Sequence, residues 1–239
     1  MTKYRIIPSN TKDDLALLAK QVIIDSIESG LAEKDRFQIS LAGGSTPSAT
    51  YKLLAQENIP WNKVDVFLGD ERWVDESDEL SNSKMIKQSL LSISPGKSSK
   101  FHPIVTTKYT SPQDSADKYH TYLEKFFKSS PPIFDFILLG LGDDGHTASL
   151  FPGSPSLTVV NKWAAIAEGK GLPRITLTSP VLSAAKKVIF IVSGSSKTLA
   201  LSRLLDPQEL SNRTPAKLVQ PKSEVLILAD SEAIASLEA

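Results

Sequence analysis

Phe37-Gln-Ile-Ser-Leu-Ala42 is an apolar run of strand length that breaks into Gly43-Gly-Ser-Thr-Pro47. Ala49, Leu53 and Leu54 then recur at helical spacing, and a second apolar run follows, Val64-Asp-Val-Phe-Leu68, ending in Gly69-Asp-Glu-Arg72. Strand, polar glycine turn, helix and strand in this order make a parallel βαβ unit. The second half repeats the alternation. Segments 134–141, 163–167, 174–177, 188–192 and 225–228 read as strands separated by helical or turn segments, so the expected fold is α/β, an open and mostly parallel sheet flanked by helices.

Other segments fit around that sheet. Thr11-Lys-Asp-Asp14 caps a helix whose Leu15, Leu18, Ala19, Val22, Ile23 and Ile27 form one apolar stripe, with Gly30 as its expected stop. Residues 82–91 are expected to be helical, and Ser111-Pro112 starts a helix that turns Ala116, Tyr119, Leu123 and Phe127 inward. Segments 92–100 and 210–221 read as surface loops within one domain spanning 1–239.

Composition excludes several classes. The 27 basic residues balance 27 acidic ones without gathering into a stripe, which argues against nucleic acid as a partner. Cysteine is absent, and with it disulfides, thiolate metal sites and a cysteine nucleophile. Three histidines without an H-x-x-x-H or H-E-x-x-H spacing make a protein-held zinc site unexpected, so no metal is assigned. No window approaches the ~20 apolar residues of a membrane-spanning helix, and the start of the chain lacks a signal-peptide core, so a cytoplasmic protein is expected.

Ligands of open α/β sheets bind beyond the carboxyl ends of the strands. Three such ends carry unusual turns here: 43–47, 69–72 and 140–147. Gly43, Gly44, Ser45 and Thr46 offer backbone N–H groups, two hydroxyls and a helix start that suit a phosphate, although a glycine turn with a Ser or Thr cap explains the same residues. Neither the P-loop nor the G-x-G-x-x-G spacing is present, which favours a small phosphorylated ligand over a nucleotide. Arg174 and Lys197, at strand boundaries, are the cations expected to reach that phosphate.

His146, in Gly140-Leu-Gly-Asp-Asp-Gly-His-Thr147, is the candidate general base, because an imidazole accepts a proton near neutrality. Asp144, two residues earlier, is the candidate orienting carboxylate; an ordinary Asx turn is the plainer alternative. His120 is expected on a helix near Glu124, and His102, before Pro103, in an extended connection with no partner at metal-ligand spacing. Asp70, Glu71 and Arg72 could bind substrate, with Arg72 a candidate for the phosphate, or form a structural ion-pair cluster; the acidic pair is read as holding Arg72 in place, with Trp73 packing.

These segments together resemble the 6-phosphogluconolactonase family: Leu41-Ala-Gly-Gly-Ser-Thr-Pro47, Gly69-Asp-Glu-Arg-Trp-Val74 with Ser81-Asn82, residues 140–153, and Arg174-Ile-Thr-Leu-Thr178 with Lys197. The resemblance implies a fold shared with glucosamine-6-phosphate deaminases, ribose-5-phosphate isomerases and coenzyme A transferases. It also implies hydrolysis of a sugar-phosphate lactone, 6-phosphogluconolactone, with no metal or organic cofactor; apart from the resemblance, no membrane and no obligate protein partner are expected. His146 matches the residue that activates water, and Arg174 and Lys197 match residues associated with sugar-phosphate binding. Asp75 stands where the family often has proline, and Ser183 where it often has asparagine. A serine nucleophile, Ser45 or Ser149, remains open at this level. So do an aldose–ketose isomerase or amino-sugar-phosphate deaminase using Asp70 as base, and a non-catalytic sugar-phosphate sensor; Arg72, where deaminases usually carry tyrosine, disfavours the deaminase.

Overall fold

In the computed structural model, which describes residues 2–235 and 237, the crossover expected around residues 37–68 is present. Strand β2 (Phe37–Leu41) runs parallel to β3 (Val64–Leu68), with Phe37 opposite Val64 and Leu41 opposite Leu68, and helix α2 (Ser45–Leu54) lies between them in sequence. Five further strands complete a seven-stranded sheet: β1 (Tyr4–Ser9), β5 (Lys100–His102), β6 (Phe136–Gly140), β9 (Val188–Val192) and β10 (Val225–Asp230). Its order is β1-β10-β9-β6-β2-β3-β5, and every pairing is parallel. All residues of β3, β9 and β10 are buried, as the unbroken apolar runs of a sheet covered on both faces require.

A second, three-stranded sheet was not legible as such. β4 (Asp70–Arg72) and β7 (Ala164–Gly169) flank β8 (Leu172–Leu177), all antiparallel, so the expected strands near 163–167 and 174–177 are real but stand outside the main sheet. They form a hairpin whose two-residue turn, Lys170-Gly171, has positive φ at both positions (54° and 78°), the backbone that matches strand twist. Arg72 faces Arg174 across the β4–β8 pairing.

Helix α1 (Lys12–Glu33) starts as expected, with the Thr11 hydroxyl accepting the Asp14 N–H at 3.1 Å. It does not stop at Gly30. The missing Cβ there is occupied by the ring of Phe37, so the glycine serves packing, and the helix continues until Lys34 turns extended and returns its N–H to the Gly30 carbonyl. α3 (Asn82–Ile86) widens into a π-helical turn over Lys87–Leu91, and α4 (Pro112–Phe126) begins on the Ser111 cap and buries Ala116, Tyr119 and Leu123. The shorter helices α5 (Ser179–Ala184), α6 (Thr198–Leu205) and α7 (Ser231–Ile234) follow β8, β9 and β10. Among the described residues no helix is long and apolar enough to cross a membrane.

Candidate active site

The carboxyl ends of β2, β3 and β6, neighbours in the sheet, open onto one cleft of about 310 Å³. Gly43 and Gly44 come from the turn after β2, Gly69 and Asp70 from the end of β3, Gly140, Gly142 and His146 from the turn after β6, and Lys197 from the segment after β9. The small antiparallel sheet closes the far side with Arg72, Lys170 and Arg174. The crevice expected from three polar turns therefore exists, and it carries four cations against one carboxylate, Asp70.

His146 reaches the cleft on a turn tied by the Gly142 N–H to the His146 carbonyl at 2.8 Å. Asp144 accepts both the backbone N–H of His146 at 3.0 Å and a bond from its Nδ1 at 2.5 Å. The Asx turn and the orienting carboxylate are thus the same residue performing both tasks. Burial pushes the Asp144 carboxyl up, but the bonds from the imidazole and the backbone outweigh it and hold it down at about 2. With Nδ1 committed as donor, Nε2 is the nitrogen left to accept, an assignment that follows from the network. Gly142 is where a side chain is forbidden, because a Cβ would collide with the imidazole. Phe151 backs the ring, with centroids 4.4 Å apart, and the Arg174 guanidinium carbon lies 5.3 Å from the same phenyl.

Arg174 is buried within β8 rather than at its boundary, and its Nε donates to the Gly169 carbonyl at 3.2 Å. The expectation that Asp70 and Glu71 hold Arg72 is met only in part: Glu71 holds its backbone N–H, and among the described residues neither carboxylate pairs with its guanidinium. Asp70 pairs with Arg174 at 3.7 Å, because the β4–β8 register brings those two residues together, and it also accepts the Ser149 hydroxyl at 2.5 Å. Glu71, almost wholly buried, takes the backbone N–H groups of Arg72, Asn82 and Ser83, while Arg72 donates to the Leu80 carbonyl at 2.6 Å. Burial raises the Glu71 carboxyl above its ordinary value despite those bonds. Ser149 is fully buried and bonded, which removes it as an exposed nucleophile.

Ser45 and Thr46 do not line the cleft. They open α2 as its first two residues, Gly44 takes the cap position with φ 110°, and no side chain caps the helix. Their side of the turn faces an adjoining hollow of about 460 Å³ that shares Lys197 with the cleft. Because Pro47 has no N–H, the N–H groups of Ser45 and Thr46 are the helix-end donors available to an anion. Lys170 escaped the sequence reading; its only local signal was the pair of glycines around it. His102 lies in extended backbone, at the end of β5, as expected; it is buried, with Nε2 2.8 Å from Asp65 and Nδ1 against the Tyr122 hydroxyl. His120 behaves as expected, half-buried with Glu124 at 3.6 Å, and also accepts the Trp163 N–H.

Fold and cleft together define an α/β protein with an imidazole and a cationic crevice at the carboxyl edge of a parallel sheet. The profile of the family described as glucosamine-6-phosphate isomerases/6-phosphogluconolactonase matches residues 10–228, and the chain belongs to that family. A 6-phosphogluconolactonase of Synechocystis sp. is 38% identical over 228 residues, covering 91% of this chain and 95% of that protein. The solved 6-phosphogluconolactonase from Trypanosoma cruzi superposes with a TM-score of 0.88 at 27% identity, covering 100% of this chain and 99% of that one. A monomeric glucosamine-6-phosphate deaminase superposes with a TM-score of 0.81 over 98% and 99% of the two chains, and at 21% identity that likeness concerns the fold alone.

Proposed function

We propose that this chain hydrolyses 6-phosphogluconolactone to 6-phosphogluconate, the second step of the oxidative pentose phosphate pathway, with His146 as general base. The observation that carries the assignment is the Asp144–His146 pair, which commits Nδ1 and leaves Nε2 as the acceptor in a cleft rich in cations. Nε2 takes a proton from water as the water oxygen bonds to the lactone carbonyl carbon. Negative charge gathers on the former carbonyl oxygen, where the backbone N–H groups of Gly43 and Gly44 are the proposed donors. The C–O bond of the ring then breaks, and the imidazolium returns its proton to the departing ring oxygen. Atoms and charge balance with protein groups, substrate and water alone.

Arg174 and Lys197 are assigned to the phosphate, with Arg72 beside them and Ser45 and Thr46 at its periphery through the helix end. Asp144 stabilises the imidazolium as it forms, much as a triad carboxylate does. The deaminase alternative needs Asp70 as a free base at the sugar, and its carboxylate is engaged by Ser149, Asn82 and Arg174. The whole chain is proposed to act as one catalytic domain in the cytoplasm, on a freely diffusing substrate and without an obligate partner.

The test generates the lactone with glucose-6-phosphate dehydrogenase and follows its disappearance. Wild-type protein is expected to exceed the spontaneous rate, and His146→Ala to lower kcat by about 10²–10⁴-fold, the usual worth of a positioned base. Unchanged kcat in the variant removes His146 from the role, and no acceleration by the wild type removes the reaction.

A further inference from the structure

A second hollow lies away from the cleft, between edge strand β5 and helix α4, and encloses about 360 Å³. Such a volume falls in the range of small-molecule sites, roughly 300–1,000 Å³. Its walls are aromatic. Tyr109, Tyr119 and Tyr122 line it together with His102, and the Tyr119 and Tyr122 rings lie within 13° of parallel at 6.4 Å. Its charged lining residues are Lys100 and Lys118, both exposed; no carboxylate lines it, and neither lysine pairs with one among the described residues.

The walls are also fixed in place. The neutral His102 ring stacks on Phe67 at 4.4 Å and 9°, gives its Nε2 proton to Asp65, and so accepts from the Tyr122 hydroxyl at Nδ1. Asp65, behind the imidazole, is compensated by a two-pronged bond from Arg36 at 2.7 and 2.9 Å, so its charge does not reach into the hollow unopposed. Tyr122 is thereby held in one orientation although its outer face is open to solvent. Tyr119 is 4% exposed, and its hydroxyl, closed off from solvent, finds no partner among the described residues, so this wall contributes ring surface and not a hydrogen bond.

We propose that this hollow is a binding site for a small planar aromatic anion, with its ring against the tyrosines and its charge at Lys100 and Lys118. Flat aromatic faces in fixed orientation favour a planar ring by offset or edge contacts, and two cations without a carboxylate favour negative charge. A neutral ring forfeits the lysines, and a saturated anion forfeits the stacking. The site is separate from the cleft, which shares none of its lining residues.

The probe is naphthoate, titrated calorimetrically into the full chain, with naphthalenemethanol as the uncharged ring and cyclohexanecarboxylate as the non-planar anion. Naphthoate is expected to bind at one site, with each control weaker by about tenfold or more. Lys118→Glu and Tyr109→Ala are each expected to weaken naphthoate by about tenfold, while the melting temperature and lactone hydrolysis stay at wild-type values. Equal binding of either control, indifference to both variants, or displacement of naphthoate by 6-phosphogluconate would overturn the proposal. The lactone assay is independent of it: loss of hydrolysis in the wild type with naphthoate binding intact refutes the proposed activity and leaves this site standing.

Discussion

At the scale of single residues, the cleft depends on how closely backbone and imidazole approach at Gly142. Replacing Gly142 with alanine puts a methyl group where Nδ1 and Cε1 of His146 lie, so the ring must move by an ångström or more or break its bond to Asp144. A misplacement of that size costs roughly 10²-fold in rate when a reacting group is displaced. Gly142→Ala is therefore expected to lower kcat by about that factor with the circular dichroism spectrum unchanged; wild-type kcat would show that His146 need not sit where it does. The pairing itself survives acid, because Asp144 remains ionised below its ordinary 3.8 and is protonated only as pH falls through about 2. His146 and Asp144 were legible from sequence because two residues of spacing suffice to join them. The Asp70–Arg174 pair was not, since the two are 104 positions apart (174 − 70) and meet only through the β4–β8 register.

Elements carry the next layer. Glu71 is an acceptor through which β4 holds the start of α3, taking the N–H groups of Asn82 at 2.7 Å and Ser83 at 2.7 Å. Glu71→Gln keeps the shape but turns an amide toward donors that need an acceptor, and is expected to cost about 1–3 kcal/mol, read from denaturant midpoints. A shift of a few tenths would mean that α3 is positioned by other contacts. The junction of β3, β5 and α4 supplies a pH signature. Burial pushes the His102 imidazole below its ordinary 6.5, against the pull of Asp65 and with Lys100 and Arg36 adding to the depression. As pH falls below 6.5 the unfolded chain takes the proton first, so this contribution to stability is complete above 6.5 and declines until the lowered folded value is reached. His102→Phe is expected to flatten that decline in denaturant midpoints between about pH 7.5 and 5.5, and an equal slope in variant and wild type would refute the assignment. The long apolar strands of the main sheet were legible because burial on both faces imposes an unbroken apolar run. β5 was not, since Lys-Phe-His carries no such run, and the β7–β8 strands gave no hint that they leave the sheet, because strand pattern specifies burial and not partner.

Over the whole molecule, 27 positive and 27 negative charges cancel, so no long-range field draws an anion toward the protein as a body. The asymmetry is local: Arg72, Lys170, Arg174 and Lys197 share a cleft with Asp70 as its one carboxylate, and the fold gathers them from β4, a hairpin turn, β8 and the segment after β9. A phosphorylated substrate should therefore be steered only over the last ten or so ångströms, within a Debye length at low salt. Two consequences follow for kcat/KM. It should fall by about three- to tenfold as ionic strength rises from roughly 20 to 300 mM, while kcat at saturating substrate changes little. The slope should also shrink in Lys170→Ala, whose ammonium sits at the exposed hairpin tip with a 3.4 Å pairing to Asp143. Steady-state kinetics at graded salt decide this. A salt-independent kcat/KM would mean that the four cations act only after docking, whereas a Lys170→Ala slope equal to wild type would restrict steering to the arginines and Lys197.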